Sequence, residues 1–117
     1  MEIVRIEAGP RYSQAVRAGG LVFTIGQVAI GAPGADVATQ TADIVARLDR
    51  LLEEAGSDKS RLVCATVYLA ELHFYEAMNS VWDKWVQTGS TPARTCVQAN
   101  LLSPDYAVEI AVVAAVR

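Results

Sequence analysis

The spacing of apolar residues changes period several times along this 117-residue chain. Ile3 to Ile6 is a short β-prone run, broken by Gly9-Pro10. Ser13–Arg17 and Leu21–Ile25 are two further β-rich runs, and the Ala18-Gly19-Gly20 between them marks a hairpin. Gly31, Pro33 and Gly34 predict a loop. After Asp36, a suitable N-cap, the period turns helical. Ile44, Leu48, Leu51 and Ala55 recur at i, i+4, i+7 and i+11, while Ala38, Ala42, Val45 and Leu52 widen the same face. Gly56 is placed to cap that helix at its C-terminal end. Leu62–Ala70 carries few polar residues and reads as a central strand. A second helix is predicted over 73–86, with Phe74, Met78, Val81 and Trp85 as its buried stripe, ended by Gly89-Ser90-Thr91-Pro92. Ala93–Gln98 and Ala107–Val116 are the last strands, joined across Ser103-Pro104-Asp105.

The order β-β-β-α-β-α-β-β describes an α+β domain over residues 1–117, with both helices on one face of a sheet. The central strands are apolar on both sides, so the opposite face needs a cover that the chain has no third layer to provide. Composition sharpens this point. Apolar residues make up 52% of the chain and charged residues 20%, and the mean hydropathy is +0.25. That excludes disorder and predicts a self-association face. The longest uncharged run, Ala18–Ala35, reaches the roughly 18 residues of a membrane span, but Gly19, Gly20, Gly26, Gly31, Pro33 and Gly34 break it into turns. Glu2, Arg5 and Glu7 make the N-terminus unlike a signal peptide, so a cytoplasmic location is expected. There, Cys64 and Cys96 read as two separate reduced thiols. A net charge of −3, a pI near 5.0 and the lack of any basic run make nucleic acid a poor partner.

Several chemistries lack their parts. His73 is the single histidine; it stands at the start of the second helix and reads as a surface residue, which leaves no base for a Ser-His-Asp or Cys-His arrangement. One histidine and two separated cysteines do not make a zinc set. Gly26 and Gly31 have the spacing of a phosphate loop, but Ala32-Pro33 stand where Lys and Ser/Thr are required, and no GxGxxG occurs. No metal, nucleotide or other cofactor is expected.

Two residues break their surroundings. Glu109 interrupts the run Ala107–Ala115, where burying an unpaired carboxylate costs on the order of several kcal/mol. It either lies on an exposed edge face or is a functional carboxylate. Arg94 is the only charge between Lys84 and Asp105, on a strand whose residues 94, 96 and 98 share a face. A guanidinium suits bidentate capture of a small carboxylate; the competing assignment is a structural pair between Arg94 and Glu109.

With these residues the chain resembles the RidA/YjgF family of imine deaminases over nearly its whole length. The likeness runs through Gly9-Pro10, Tyr12-Ser13-Gln14-Ala15-Val16, Leu21-Val22-Phe23-Thr24, Gly26-Gln27, Gln40-Thr41, Ala55-Gly56, Val63, Thr66-Val67-Tyr68-Leu69 and Asn79. It closes on Pro92-Ala93-Arg94-Thr95-Cys96-Val97 and Val108-Glu109-Ile110. Each piece alone is weak; the ordered set is specific.

The resemblance implies a chorismate-mutase-like chain forming a homotrimer, with three sheets around a central β-barrel, helices outside and ligand clefts between subunits. It also implies hydrolysis of reactive enamines and imines, such as 2-aminoacrylate and 2-iminopropanoate, to 2-keto acids and ammonia without a cofactor. By the same resemblance Arg94 holds the substrate carboxylate and Glu109 positions the attacking water. Cys96 and Gly26 offer backbone contacts, and Tyr12 and Asn79 line the cleft. The chain departs from the family pattern at Ile25, where many members have Ser before Gly-Gln. Arg11 lies between Pro10 and Tyr12, and Ala111 stands where many members have a second Glu. These departures leave the carboxylate-binding pattern whole and point to a more apolar cleft, suited to a bulkier or different imine. Two alternatives follow: a trimer that binds small carboxylates without turnover, and a ribonuclease or translation inhibitor, which the acidic composition disfavours.

Overall fold

Gly19 and Gly20 turn the chain with φ of 58° and 79°, a conformation that suits glycine and joins antiparallel strands at their natural twist. In a computed structural model covering residues 1–117 they connect β2 (Ser13–Ala18) to β3 (Leu21–Thr24). β1 is Ile3–Ala8, β4 Gln27–Val28, β5 Leu62–Leu69, β6 Ala93–Gln98 and β7 Val108–Ala115; the helices are α1 (Val37–Glu54) and α2 (Tyr75–Trp85). The strands form one mixed sheet in the order β1-β2-β3-β7-β5-β6, and the short β4 also pairs with β7. β5 and β6 run parallel, with α2 as their crossover, and every other pair is antiparallel. This is the expected α+β arrangement with one addition: β4 lies just beyond Gly26.

Alternation sets the faces. Val108, Ile110, Val112 and Ala114 of β7 are buried, and the residues between them are half-buried. α1 lays Ile44, Val45, Leu48, Leu51 and Leu52 over the sheet to complete the core. Asp36 caps α1 by accepting a hydrogen bond from the Thr39 N–H at 2.8 Å, and Gly56 follows the last turn at φ 83°. The inward face of α1 differs from the expected one. Ala42 is exposed, and Gln40 and Thr41 are buried. The Gln40 amide donates to the Ala35 and Asp105 carbonyls at 2.9 Å, and its carbonyl accepts from the Ala107 N–H at 2.8 Å. With its groups satisfied in this way, a polar side chain is tolerated in the core.

α2 starts at Tyr75, two residues later than expected. A 3-10 turn over Leu72–Phe74 precedes it, and His73 is exposed there. Its buried residues are Met78, Trp82 and Trp85, with Val81 and Phe74 only partly covered. The Trp85 indole donates to Asp49 of α1 at 3.0 Å, and the two indole rings pack 5.3 Å apart. Turning Trp82 inward instead of Val81 buries the larger apolar surface.

The sheet face away from the helices carries Ile3, Phe23 and Val97, which are 47%, 44% and 40% exposed. The apolar surplus of the composition lies there. No helix is long and apolar enough to cross a membrane.

Candidate functional site

Arg94 is the second residue of β6, opposite Ala65 of β5, which in turn stands opposite Val112 of β7. Ala65 and Val112 are buried beneath the helices, so this row faces the helical layer. The Arg94 side chain runs along α2. One Nη1 N–H donates to Asn79 Oδ1 at 2.9 Å and the other approaches Met78 Sδ at 3.9 Å, while Nη2 donates to Tyr75 Oη at 3.2 Å. Tyr75, Met78, Asn79 and Trp82 can converge because they lie at i, i+3, i+4 and i+7, one stripe of a helix. The Tyr75 and Trp82 rings stand 5.7 and 5.1 Å from the guanidinium carbon. Every one of these partners is neutral, and no ion pair of the chain includes Arg94. Of the five guanidinium N–H groups, two remain uncommitted: Nε–H and one on the adjacent Nη2. Cys96, two residues on, shares this face. Burial raises its thiol pKa and the Arg94 charge works against that rise.

Glu109 lies on the other face, in the row Val97–Tyr68–Glu109–Val28 across β6, β5, β7 and β4. It therefore does not pair with Arg94 in one chain. No donor of the chain reaches its carboxylate, and burial holds its pKa above the usual range. Gly26 passes directly beneath it. A Cβ on Gly26 would stand 2.6 Å from the Glu109 carboxyl carbon and 2.8 Å from Cγ. Next in sequence, buried Gln27 donates to the Gln14 side chain at 3.0 Å. That bond ties the Gly26 segment to the β1–β2 turn, where Tyr12 is 58% exposed beside a hollow of about 300 Å³.

The predicted residues thus fall into two groups. Arg94 and Cys96 face α2, which carries Asn79; Glu109 lies on the opposite face of the sheet with Gly26 against it, and Tyr12 stands in the β1–β2 turn. A larger hollow of about 720 Å³ lies between the start of α1 and the β6–β7 connection and contains none of them. No three His, Cys, Asp or Glu side chains gather in a metal-holding arrangement.

The family model described as Endoribonuclease L-PSP matches residues 2–116. The RutC family protein YoaB of Escherichia coli is 43% identical over 119 residues, covering 99% of this chain and all of YoaB. A RutC family protein of Haemophilus ducreyi is 36% identical, covering 98% of this chain and 97% of its own. The crystal structure of a YjgF family member from Neisseria meningitidis superposes with a TM-score of 0.96 at 47% identity, covering 100% of this chain and 97% of that one. The chain belongs to the YjgF/L-PSP family.

Within this YjgF-family chain, two side chains at Arg94 lie outside the sequence prediction as site residues: Tyr75 and Trp82. The signal for both was their spacing from Asn79, four residues before and three after. Gly26 also gains a physical reason. Gly26→Ala is expected to drive the Glu109 carboxyl out of its seat, since Cγ and the carboxyl carbon both lie inside the approach distance of a real Cβ. Any turnover that depends on Glu109 should fall at least about tenfold. The melting temperature should drop modestly, because the side chain that moves is half-exposed. An unchanged rate would show that the seat of Glu109 is immaterial.

Proposed function

We propose that this chain is a hydrolytic deaminase of small 2-imino carboxylic acids, working as a cytoplasmic homotrimer whose clefts join the Arg94 half-site of one subunit to the Glu109 half-site of a neighbour. The observation that carries this reading is the pair of uncompensated charges: a guanidinium held only by neutral groups, and a half-buried carboxylate with no donor, on opposite faces of one sheet. Each lacks what the other side of a cleft would supply. The exposed Phe23 and Val97 on the Glu109 face favour a neighbouring subunit there, and edge strand β6 carries Arg94 to the rim of the sheet. Ile25 and Ala111 leave the surroundings of Glu109 apolar, which fits an imine with an alkyl side chain.

The chemistry follows from these parts. Arg94 takes the substrate carboxylate and orients the C=N carbon. Glu109 orients a water and accepts its proton as the oxygen adds to the protonated imine. Glu109 returns its proton to the carbinolamine nitrogen, the C–N bond breaks, and the hydroxyl proton passes to the departing ammonia, so that ammonium and a 2-keto acid leave. Iminium plus water balances keto acid plus ammonium, with no redox change and no cofactor in any step.

The test couples a serine or threonine dehydratase to this protein and follows decay of the released imine. Accelerated decay is expected, with a scattering mass three times 12.5 kDa. A monomeric mass would overturn the shared cleft. Binding of 2-ketobutyrate without accelerated decay would establish the second reading, a carboxylate-binding trimer, which Ile25 in the place of a hydroxyl-bearing residue favours. The endoribonuclease of the family description fits this chain less well: net charge is −3, and RNA affinity rests on phosphate neutralisation by Lys and Arg.

A further inference from the structure

The neutral cage around Arg94 is asymmetric, and the asymmetry comes from Tyr75. Asn79 and Met78 occupy Nη1, while Tyr75 occupies one of the two N–H groups on Nη2. A free guanidinium offers several edges, and a tetrahedral oxyanion can use them together. Arg94 is left with one N–H on each of two adjacent nitrogens, Nε and Nη2, and the edge these two nitrogens share is one that a carboxylate's two coplanar oxygens can engage. Tyr75 is 41% exposed, and its hydroxyl accepts from Arg94 but donates to no group of the chain, so no buried network requires it.

We propose that Tyr75 is a positioning residue that makes the Arg94 site selective for planar carboxylates over tetrahedral anions. In this proposal its hydroxyl holds the Nη2 hydrogen that faces Nη1, which leaves the Nε/Nη2 edge to a carboxylate and denies a sulfonate or phosphonate a second edge. The proposal rests on the carboxylate reading of Arg94 given above. It extends that reading from a binding charge to a geometric filter on the ligand.

The experiment titrates the intact protein with 2-ketobutyrate, and with sulfonate and phosphonate analogues of the same chain length, in the parent, Tyr75→Phe and Arg94→Ala. Phenylalanine keeps the ring beside the guanidinium and removes only the hydroxyl. The expected result for Tyr75→Phe is a threefold to tenfold gain in affinity for the sulfonate and phosphonate, the scale of the one N–H it frees, with 2-ketobutyrate affinity unchanged or weaker. The preference for carboxylate over the tetrahedral analogues should shrink by at least that factor, with the melting temperature unchanged. A purely structural role would not move that ratio. An unchanged ratio in Tyr75→Phe, while Arg94→Ala loses binding, overturns the Tyr75 proposal and leaves the carboxylate site standing. A parent that binds the tetrahedral analogues as well as the keto acid also overturns it. A parent that binds none of the three, or an Arg94→Ala variant that binds as the parent does, overturns the carboxylate reading itself.

Discussion

Arg94→Ala is expected to abolish keto-acid binding in calorimetry and to lower kcat/KM for imine hydrolysis by about 10²-fold or more. The two uncommitted N–H groups on Arg94 would each make a charge-assisted hydrogen bond to the substrate carboxylate, worth roughly 1.5–3 kcal/mol apiece. Losing both exceeds the roughly 1.4 kcal/mol that corresponds to one factor of ten, two or more times over. The fold should tolerate the change. No acid depends on Arg94, so its removal strands no opposite charge, and Asn79 and Tyr75 can turn to water. The losses are packing against Trp82 and the cation–π contacts with Tyr75 and Trp82. Arg94→Lys keeps the charge without the fork, and its activity should lie between parent and Ala. An Ala variant that binds and turns over like the parent would remove Arg94 from the site.

The core of this fold was readable where local pattern and tertiary packing agree. In α1, the 3.6-residue recurrence of Ile44, Leu48 and Leu51 named the buried stripe, and Asp36 marked the start. α2 shows where that agreement ends. Stripes through Phe74–Met78–Val81–Trp85 and through Met78–Trp82–Trp85 satisfy the same period. The choice is made by partners distant in sequence: Asp49 of α1 holds the Trp85 indole. β4 is two residues long and exists through its pairing with β7, so nothing within Gln27-Val28 announces it.

The site followed the same rule. Arg94 and Glu109 stood out because each is a lone charge in an apolar run, a property of one strand. Whether they face one another depends on register through β6, β5 and β7. A slip of one residue in any pair would reverse the answer. The observed register places Arg94 beside Ala65 and Glu109 beside Tyr68, residues of opposite parity on β5. That parity removes the structural Arg–Glu pair within one chain and leaves the two charges on opposite faces of the sheet.

Glu109→Gln is the sharper probe of the chemical step, because it separates catalysis from stability in sign. On the proposed role of Glu109 in orienting and deprotonating water, the variant should lower kcat by about 10²-fold or more and leave KM within a few-fold, since Arg94 is untouched. Stability should move the other way. Burial raises the Glu109 pKa above its ordinary 4.5. A raised carboxyl pKa means the fold favours the protonated form. The stability this group contributes is therefore fully present below the unfolded pKa and is lost as pH rises through the folded value. Glutamine mimics the protonated group at every pH. The variant should match the parent near pH 4 and equal or exceed it near pH 7 in denaturant midpoint. The parent's kcat profile should carry an acid limb from protonation of Glu109, and Glu109→Gln should show no such limb. A variant that keeps its kcat would leave the carboxylate without a part in the reaction.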